Sequence, residues 1–520
     1  MSNLPEYKGR IIGRSISEIF IRSHPDANLV MGEILTAGDS NILYFLRVVD
    51  ILYGFEAGNP SWALNLAGAM MEMESAERGF QLFDKEQRNF EVGKCVILGF
   101  TRDGEFKRAK SLPPLFSQAS VPTIEQFSFI KKYAGDITVG KLRSGDEVLD
   151  FRVGMGKNFI PSHTGIFATT GMGKSNLMKC LASSVMESDG VGMLIFDPHG
   201  EYIDGGEEKK KGLVNHPCSY SKLTVFSHRN LSHTHSKLRL NHREINIEDL
   251  ILLFDFSQAQ LEAAYALYNR YGADWLKQLD ELSIDEITEE ISSSKFHETT
   301  ISVLQRRAKQ IFSQKTFHKD EKVSVTKKII KELKLGNVVL IDLSGLSGWR
   351  ELLPAAAIAR QILDSYHNEF RNPGSFKTLP NVTIVLEEAQ RVLGQLTGTK
   401  ENIFSRICRE GRKFKVGLTA ITQQPKLIDE EILSQFNTLF ILGLADERDR
   451  NILRSLARQD IRELTREIQM LQPGEALISS PQTPFAIPAI IDLYEEYIST
   501  QNADNIKSKN EIPSPDEGFF

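Results

Sequence analysis

The chain has 520 residues, 41% hydrophobic and 25% charged, with a formal net charge of −6 at pH 7. That length exceeds one ordinary core and predicts two or three domains of globular composition. The charge excludes a surface coated in basic groups, but not a nucleic-acid channel lined by a few of them.

No run approaches the ~18 apolar residues of a membrane span, and the start, MSNLPEYKGR, has no apolar signal region. A soluble, cytoplasmic protein without membrane contact is expected. Cys95, Cys180, Cys218 and Cys408 are scattered, with neither metal-ligand nor disulfide spacing.

In chain order, GRIIGRSISEIFIRS and NILYFLRVVDILYGF are rich in β-branched and aromatic residues, with the turn cluster AGDSN at 37–41 between them. NPSWALNLAGAMMEMESAERG predicts a helix behind an Asn or Ser cap. EVGKCVILGF and EFKRAKSL flank Asp103-Gly104, a hairpin signal. Together these predict a small β-barrel of roughly a hundred residues. SLPPLFSQASVPT, with three prolines, reads as a linker.

From residue 160 short apolar strands alternate with helical patterns, the signature of an α/β fold with a parallel sheet. The strands are TGIFA, VGMLIFD, LTVFS, NVVLIDLS, NVTIVLE, VGLTAIT and TLFILGL. Residues 246–335 interrupt them with a helical insertion. There Ile301, Leu304, Ala308 and Ile311 share one face, away from Arg306, Arg307 and Lys309. NADNIKSKNEIPSPDEGFF at the end is polar and reads as a tail.

GIFATTGMGKSNLMKCLA at 165–182 joins a strand, a small-residue loop and a helix. Gly173, Lys174 and Ser175 fit the phosphate-binding pattern, whose first glycine is Ala168 here. Gly171 and Gly173 let the main chain turn its N–H groups toward anionic oxygens. Lys174 supplies charge for the β- and γ-phosphates, and the Ser175 hydroxyl is a Mg²⁺ ligand. The helix dipole adds to both. The nucleotide-binding set is Thr170, Gly171, Met172, Gly173, Lys174, Ser175 and Asn176, with ATP and Mg²⁺ as the bound species.

Hydrolysis also needs a metal-supporting carboxylate and a group acting on water, expected on strands next to the loop strand. TIVLEEAQ delivers Glu387 and Glu388 at a strand end, one for the metal and one for the attacking water. Glu387 stands where Asp is usual, so water activation by Glu388 is the firmer assignment. In MLIFDPHGEY, Asp197 either joins this network or caps the turn that follows. In KENIFSRICREGRKFK, Arg409 and Arg412 are candidates for reaching a neighbour's γ-phosphate, or else they are a solvated helix end. GLTAITQQP ends a strand at Gln423, a candidate γ-phosphate sensor.

TTGMGKSNLM, FDPHGEY, VLIDLSGL, IVLEEAQ, REGRKFKVGLTAITQQP and GEALIS, in this order, resemble the HerA family of DNA translocases, related to FtsK and the conjugation ATPases. The resemblance covers most of 8–495 and is strong across 137–480. It implies a RecA-like P-loop motor with an N-terminal barrel and a helical insertion. The expected bounds are barrel and linker 1–135, motor 136–245 and 336–500, insertion 246–335 and tail 501–520. It implies a homohexameric ring that hydrolyses ATP and moves double-stranded DNA, with Lys174, Asp197, Glu388 and an arginine near 409–412 in the active site. It also implies a partner, either a NurA-like nuclease in DNA-end processing or an effector enzyme in antiphage defence. Ser162-His163 departs from the family, which often has a basic residue before that histidine. Lys209, Lys210, Lys211, Trp349 and Arg350 are either pore-loop groups or plain surface. A scaffold ATPase and a nucleotide switch remain as other readings.

Overall fold

A computed structural model describes residues 6–39, 41–55, 67, 71, 89–132, 135–205, 210–290, 296–394, 402–457, 459 and 461–500. Most of the helix expected over 59–79, Lys209 and the tail lie outside these residues.

The first sheet holds β1 (Tyr7–Ser15), β2 (Glu18–Ser23), β3 (Ile34–Gly38), β4 (Leu43–Phe55), β5 (Asn89–Arg102), β6 (Glu105–Lys107) and β7 (Gln118–Ser120). Its order is β2-β1-β7-β3-β4-β5-β6, and β2 also pairs with β5, which closes six strands into a barrel. The β5–β6 hairpin turns at Asp103 and Gly104, both at positive φ (55° and 76°), as its Asp-Gly signal demands. The proline-rich stretch is not simply a linker, because it contains β7, which sits between β1 and β3. Its prolines flank residues 118–120 and leave the ladder donors of the strand intact.

The second sheet adds β8 (Ile137–Ser144), β9 (Glu147–Met155), β10 (Thr164–Phe167), β11 (Val191–Asp197), β12 (Leu223–Ser227) and β13 (Ser236–Lys237). A small pair follows, β14 (Leu240–Asn241) with β15 (Phe317–His318). The large sheet then continues with β16 (Val338–Asp342), β17 (Asn381–Leu386), β18 (Val416–Thr422), β19 (Thr438–Ile441), β20 (Glu475–Ser479) and β21 (Ile487–Ile491). Its order is β13-β12-β16-β11-β17-β18-β10-β19-β20-β21-β8-β9. The strands from β13 to β19 run parallel, and those from β20 to β9 pair antiparallel. All seven strands expected from the apolar runs are present. Their near-continuous burial is what a parallel sheet covered on both faces requires. This is an α/β architecture built on a largely parallel sheet, as expected, with the barrel preceding it in the chain.

The helices that bear on function are α1 (Lys174–Glu187), α2 (Gln258–Tyr271), α3 (Trp275–Glu281), α4 (Glu298–Phe312), α5 (Ile403–Glu410) and α6 (Thr465–Met470). In the insertion α2, α3 and α4 pack together. Ile301, Leu304, Ala308 and Ile311 are buried as expected, while Arg306 and Lys309 are exposed. Among the described residues no helix is long and apolar enough to cross a membrane.

The barrel is fastened to the α/β part by charge and by aromatic packing. Arg47 of β4, wholly buried, and Arg143 of β8 both donate to the buried Glu467 of α6. Beside them Phe106 stacks on Phe129 with centroids 4.6 Å apart, and Phe45 and Phe485 pack around that pair. Removing one partner of a buried ion pair strands the others without compensation, whereas a surface pair is screened by water. Glu467→Ala is therefore expected to lower unfolding stability by about 3–5 kcal/mol. Loss of the exposed Arg466–Asp50 pair through Arg466→Ala should stay within about 1 kcal/mol. Denaturant titration of both variants checks the contrast.

Candidate active site

Strand β10 lies between β18 and β19 in parallel register, with Ile166 level with Ile421 and Phe440. The loop after it hangs from both neighbours: Ala168 N–H donates to the Thr422 carbonyl, and Thr169 N–H to that of Gly443. Gly171 (φ +83°) and Gly173 (φ +98°) then turn the chain into α1. A Cβ at Gly171 would meet nothing within 4 Å, so backbone conformation, not crowding, requires glycine there. Ala168 is buried and is not among the positive-φ residues, so a methyl group is tolerated where the motif has glycine.

Lys174 Nζ donates to the carbonyls of Ala168 (3.3 Å) and Thr169 (3.4 Å), which curls it back over the loop. Partial burial lowers its pKa, against the opposing charges of Glu387, Glu388 and Glu201. Ser175 Oγ donates to Glu201 Oε2 at 2.6 Å. Two of the expected nucleotide-binding residues also hold the fold together. Met172 packs against Gly443, and the Asn176 amide bonds the main chain at Asp492 and Tyr494.

The acids do not stand on strands beside β10, as expected from sequence. β18 intervenes, so Glu387 and Glu388 at the end of β17 are one strand further out, and Asp197 at the end of β11 is two. The parallel strands still bring all three to the edge where the loop lies. Asp197 is buried and accepts from the N–H groups of His199, Gly200, Glu201 and Tyr202. It thus caps its turn, and burial raises its pKa although the four donors oppose this. The turn swings Glu201 toward Ser175 and Tyr202 toward Glu387, whose carboxylate accepts from the Tyr202 hydroxyl. Burial pushes the Glu387 carboxyl up to about 7.

Glu388 sits at φ +48°, a conformation that costs a non-glycine residue about 1–3 kcal/mol. Its carboxylate accepts from Gln390 Nε2 at 2.6 Å and from Gln423 Nε2 at 3.4 Å. Gln423 Oε1 accepts in turn from Thr170 Oγ1 at 2.6 Å, and Thr422 Oγ1 donates to Gln390 at 2.7 Å. A polar chain thus runs from the phosphate loop through Gln423 to Glu388. Thr170, Gly171, Gly173, Lys174, Ser175, Asp197, Glu201, Glu387, Glu388 and Gln423 share one open cleft of about 1170 Å³.

Arg409 and Arg412 are not in that cleft. Both are exposed, and Arg409 pairs with Glu431 at 3.3 Å. Arg412 precedes β18, and its charge reaches His163, which precedes β10 and is held down to about 4 chiefly by burial. Both arginines therefore leave the chain at the opposite edge of the sheet, roughly 20 Å from the loop at ~3.3 Å per strand residue.

Glu201, Tyr202 and Gln390 were missed in the sequence reading. The first two follow Asp197 within FDPHGEY, and Gly200 (φ +77°), the hinge of the turn, was the available signal. Nothing in the sequence marks the positive φ of Glu388.

Residues 137–362 match the family model described as "Helicase HerA, central domain". The chain is 29% identical over 405 residues to the DNA double-strand break repair helicase HerA of Sulfolobus acidocaldarius, covering 76% of this chain and 77% of that protein. It is 28% identical over 397 residues to the same-named protein of Saccharolobus solfataricus, covering 74% of this chain and 73% of that one. A solved structure of VirB4 from Thermoanaerobacter pseudethanolicus aligns with a TM-score of 0.44 at 15% identity, covering 69% of this chain and 96% of that one. The family model and these relatives bear out the resemblance to the HerA family, and together with the phosphate-loop site they support ATPase activity.

An unfolded glutamate titrates near 4.5 and folded Glu387 near 7. Between these values the folded chain holds the extra proton, so stability falls as pH rises through the window and levels off above it. Glu387→Gln removes this slope. Denaturant titrations of the nucleotide-free chain should show wild-type stability falling relative to the variant from about pH 4.5 to 7. A difference independent of pH would contradict the assignment.

Proposed function

We propose that this chain, similar to the HerA helicases, is an ATP-driven translocase that moves double-stranded DNA through a homohexameric ring. The DNA assignment follows the names of its relatives. Within the reading, a nuclease partner uses the movement in DNA-end processing.

The observation that carries the ATPase half is the polar chain from Thr170 through Gln423 to Glu388. A carboxylate held in a costly backbone conformation and wired to the phosphate loop is suited to act only when a γ-phosphate is in place. In this reading the loop N–H groups and Lys174 hold the β- and γ-phosphates. Ser175 and Glu387 would hold Mg²⁺, which would supply charge neutralisation when bound. The hydroxyl and the two nearby carboxylates suit that hard cation. Glu388 orients the attacking water and takes its proton, and Gln423 reports the γ-phosphate to it. Asp197 acts indirectly, by shaping the turn that presents Glu201 and Tyr202.

The arginines motivate the ring. Because Arg409 and Arg412 lie at the far edge of their own sheet, they serve phosphate only in a neighbouring subunit, where their charge stabilises the transition state. ATP then sits between subunits, and hydrolysis is coupled to assembly.

The test is ATP hydrolysis by the purified chain with and without linear duplex DNA, using Lys174→Ala as the blank. DNA is expected to stimulate turnover in the wild type and not in the blank, and turnover indifferent to DNA would sink the translocase reading. Glu388→Gln should bind ATP within about twofold of wild type and lose at least ~10²-fold in turnover. Normal turnover in that variant would remove Glu388 from the mechanism.

A further inference from the structure

Behind the phosphate cleft lies a second, much smaller cavity of about 20 Å³. Glu387 and Glu388 line both spaces and so form the partition between them. On the cleft side Glu388 meets Gln423 and, through it, the phosphate loop. On the other side stand Glu351 and Arg391. Arg391 Nη1 donates to both carboxylate oxygens of Glu351, at 2.7 and 3.0 Å. The Glu351 side chain is 9% exposed and that of Arg391 38%, so the carboxylate is buried and its charge-assisted bonds outweigh those of a surface pair.

The two partners belong to different elements. Arg391 is part of the turn that carries Glu388, because its N–H donates to the Glu388 carbonyl at 2.9 Å. Glu351 lies in the first turn of the helix Trp349–Phe370, which follows β16. Leu343 N–H, between that strand and the helix, donates to the Asp197 carbonyl at 2.9 Å. The first residue of the helix, Trp349, packs on Phe254 of the insertion with ring centroids 5.9 Å apart. One ion pair therefore joins the Glu388 turn to a helix that rests on the insertion.

We propose that Arg391 and Glu351 are positioning residues for hydrolysis: their ion pair holds the Glu388 turn in its positive-φ conformation and so aims the carboxylate toward the attacking water. The inference rests on the reading of Glu388 as the group that acts on water. Strain creates the need. A non-glycine residue at φ +48° persists only where its surroundings over-determine it. The Glu388 carboxylate is held by Gln390, which is itself bonded to Thr422, and by Gln423. Ala389 N–H, on the Ile421 carbonyl at 3.0 Å, holds the chain just beyond. These holds all lead back to the end of β18, and the pair with Glu351 supplies one from another element. A buried ion pair stabilises a fold little more than apolar residues of the same size, but its geometry fixes the direction of both partners.

The experiment uses the full chain and measures turnover at saturating ATP and, separately, the affinity for a non-hydrolysable ATP analogue. The variants are Glu351→Gln, Arg391→Gln, their double and Arg391→Lys, with Glu388→Gln as the reference. Glutamine removes the charge and still hydrogen-bonds. Each single change to glutamine should lower turnover about 10–100-fold, with analogue affinity within about twofold of wild type. The double should lose no more than the worse single, because one interaction is removed only once. Arg391→Lys keeps the charge without the planar fork and should fall between wild type and Arg391→Gln. Turnover within about twofold of wild type in either glutamine single would overturn the proposal. Losses that multiply in the double would do so too, as would an equal loss of analogue affinity, the mark of general damage. Each of these outcomes leaves Glu388 in place so long as Glu388→Gln is inactive. Normal turnover in Glu388→Gln would overturn the reading of Glu388 itself, and the proposal with it.

Discussion

The site depends on one ladder, the parallel register that clamps β10 between β18 and β19. Ala168 and Thr169 hang the phosphate loop on the strand ends at Thr422 and just past β19 at Gly443. The same ladder continues through β18 to β17 and β11. Each strand carries its polar residue at the same edge, so Gln423, Glu387, Glu388 and Asp197 arrive together without any sequence proximity. A slip of one strand by one residue would turn its side chains to the other face and dissolve the cluster.

Much of this was legible in the sequence. Seven apolar runs became seven strands, because a strand buried on both faces must be apolar throughout. Gly171 and Gly173 showed the loop because positive φ selects glycine. Other features were hidden for physical reasons. Which strand lies beside which is a property of crossovers, so β18 between β10 and β17 could not be read from spacing. The positive φ of Glu388 breaks the glycine rule, and its stabilisation comes from long-range partners such as Gln423. The antiparallel half of the sheet joins β8 and β9 to β20 and β21, which lie more than 300 residues apart in the chain. Strand β7 was masked by flanking prolines that spare its own ladder groups.

Charge organises the cleft into two ends. Lys174 is the cation at the loop, facing Glu201, Glu387 and Glu388. Burial holds the Glu387 proton more tightly, and Tyr202 fixes the direction of that carboxyl. A bound divalent cation would offset the surplus of carboxylates at this end. The barrel is tied into the same framework, because Glu467 of α6 holds Arg47 and Arg143 just before the turn at Pro473–Gly474 enters the cleft.

The central claim is that each ATP is completed by a neighbouring subunit, and mixing inactive variants tests it most directly. Lys174→Ala lacks the phosphate-binding lysine, and the double variant Arg409→Ala with Arg412→Ala lacks the arginines offered to the neighbour. Each alone should be inactive. Subunits mixed in equal amounts and allowed to exchange should regain up to about a quarter of wild-type turnover, the share of interfaces that pair an intact lysine with intact arginines in a closed ring. Mixed rings, verified by native mass spectrometry, that stay inactive would contradict the account, as would full turnover by the arginine variant alone.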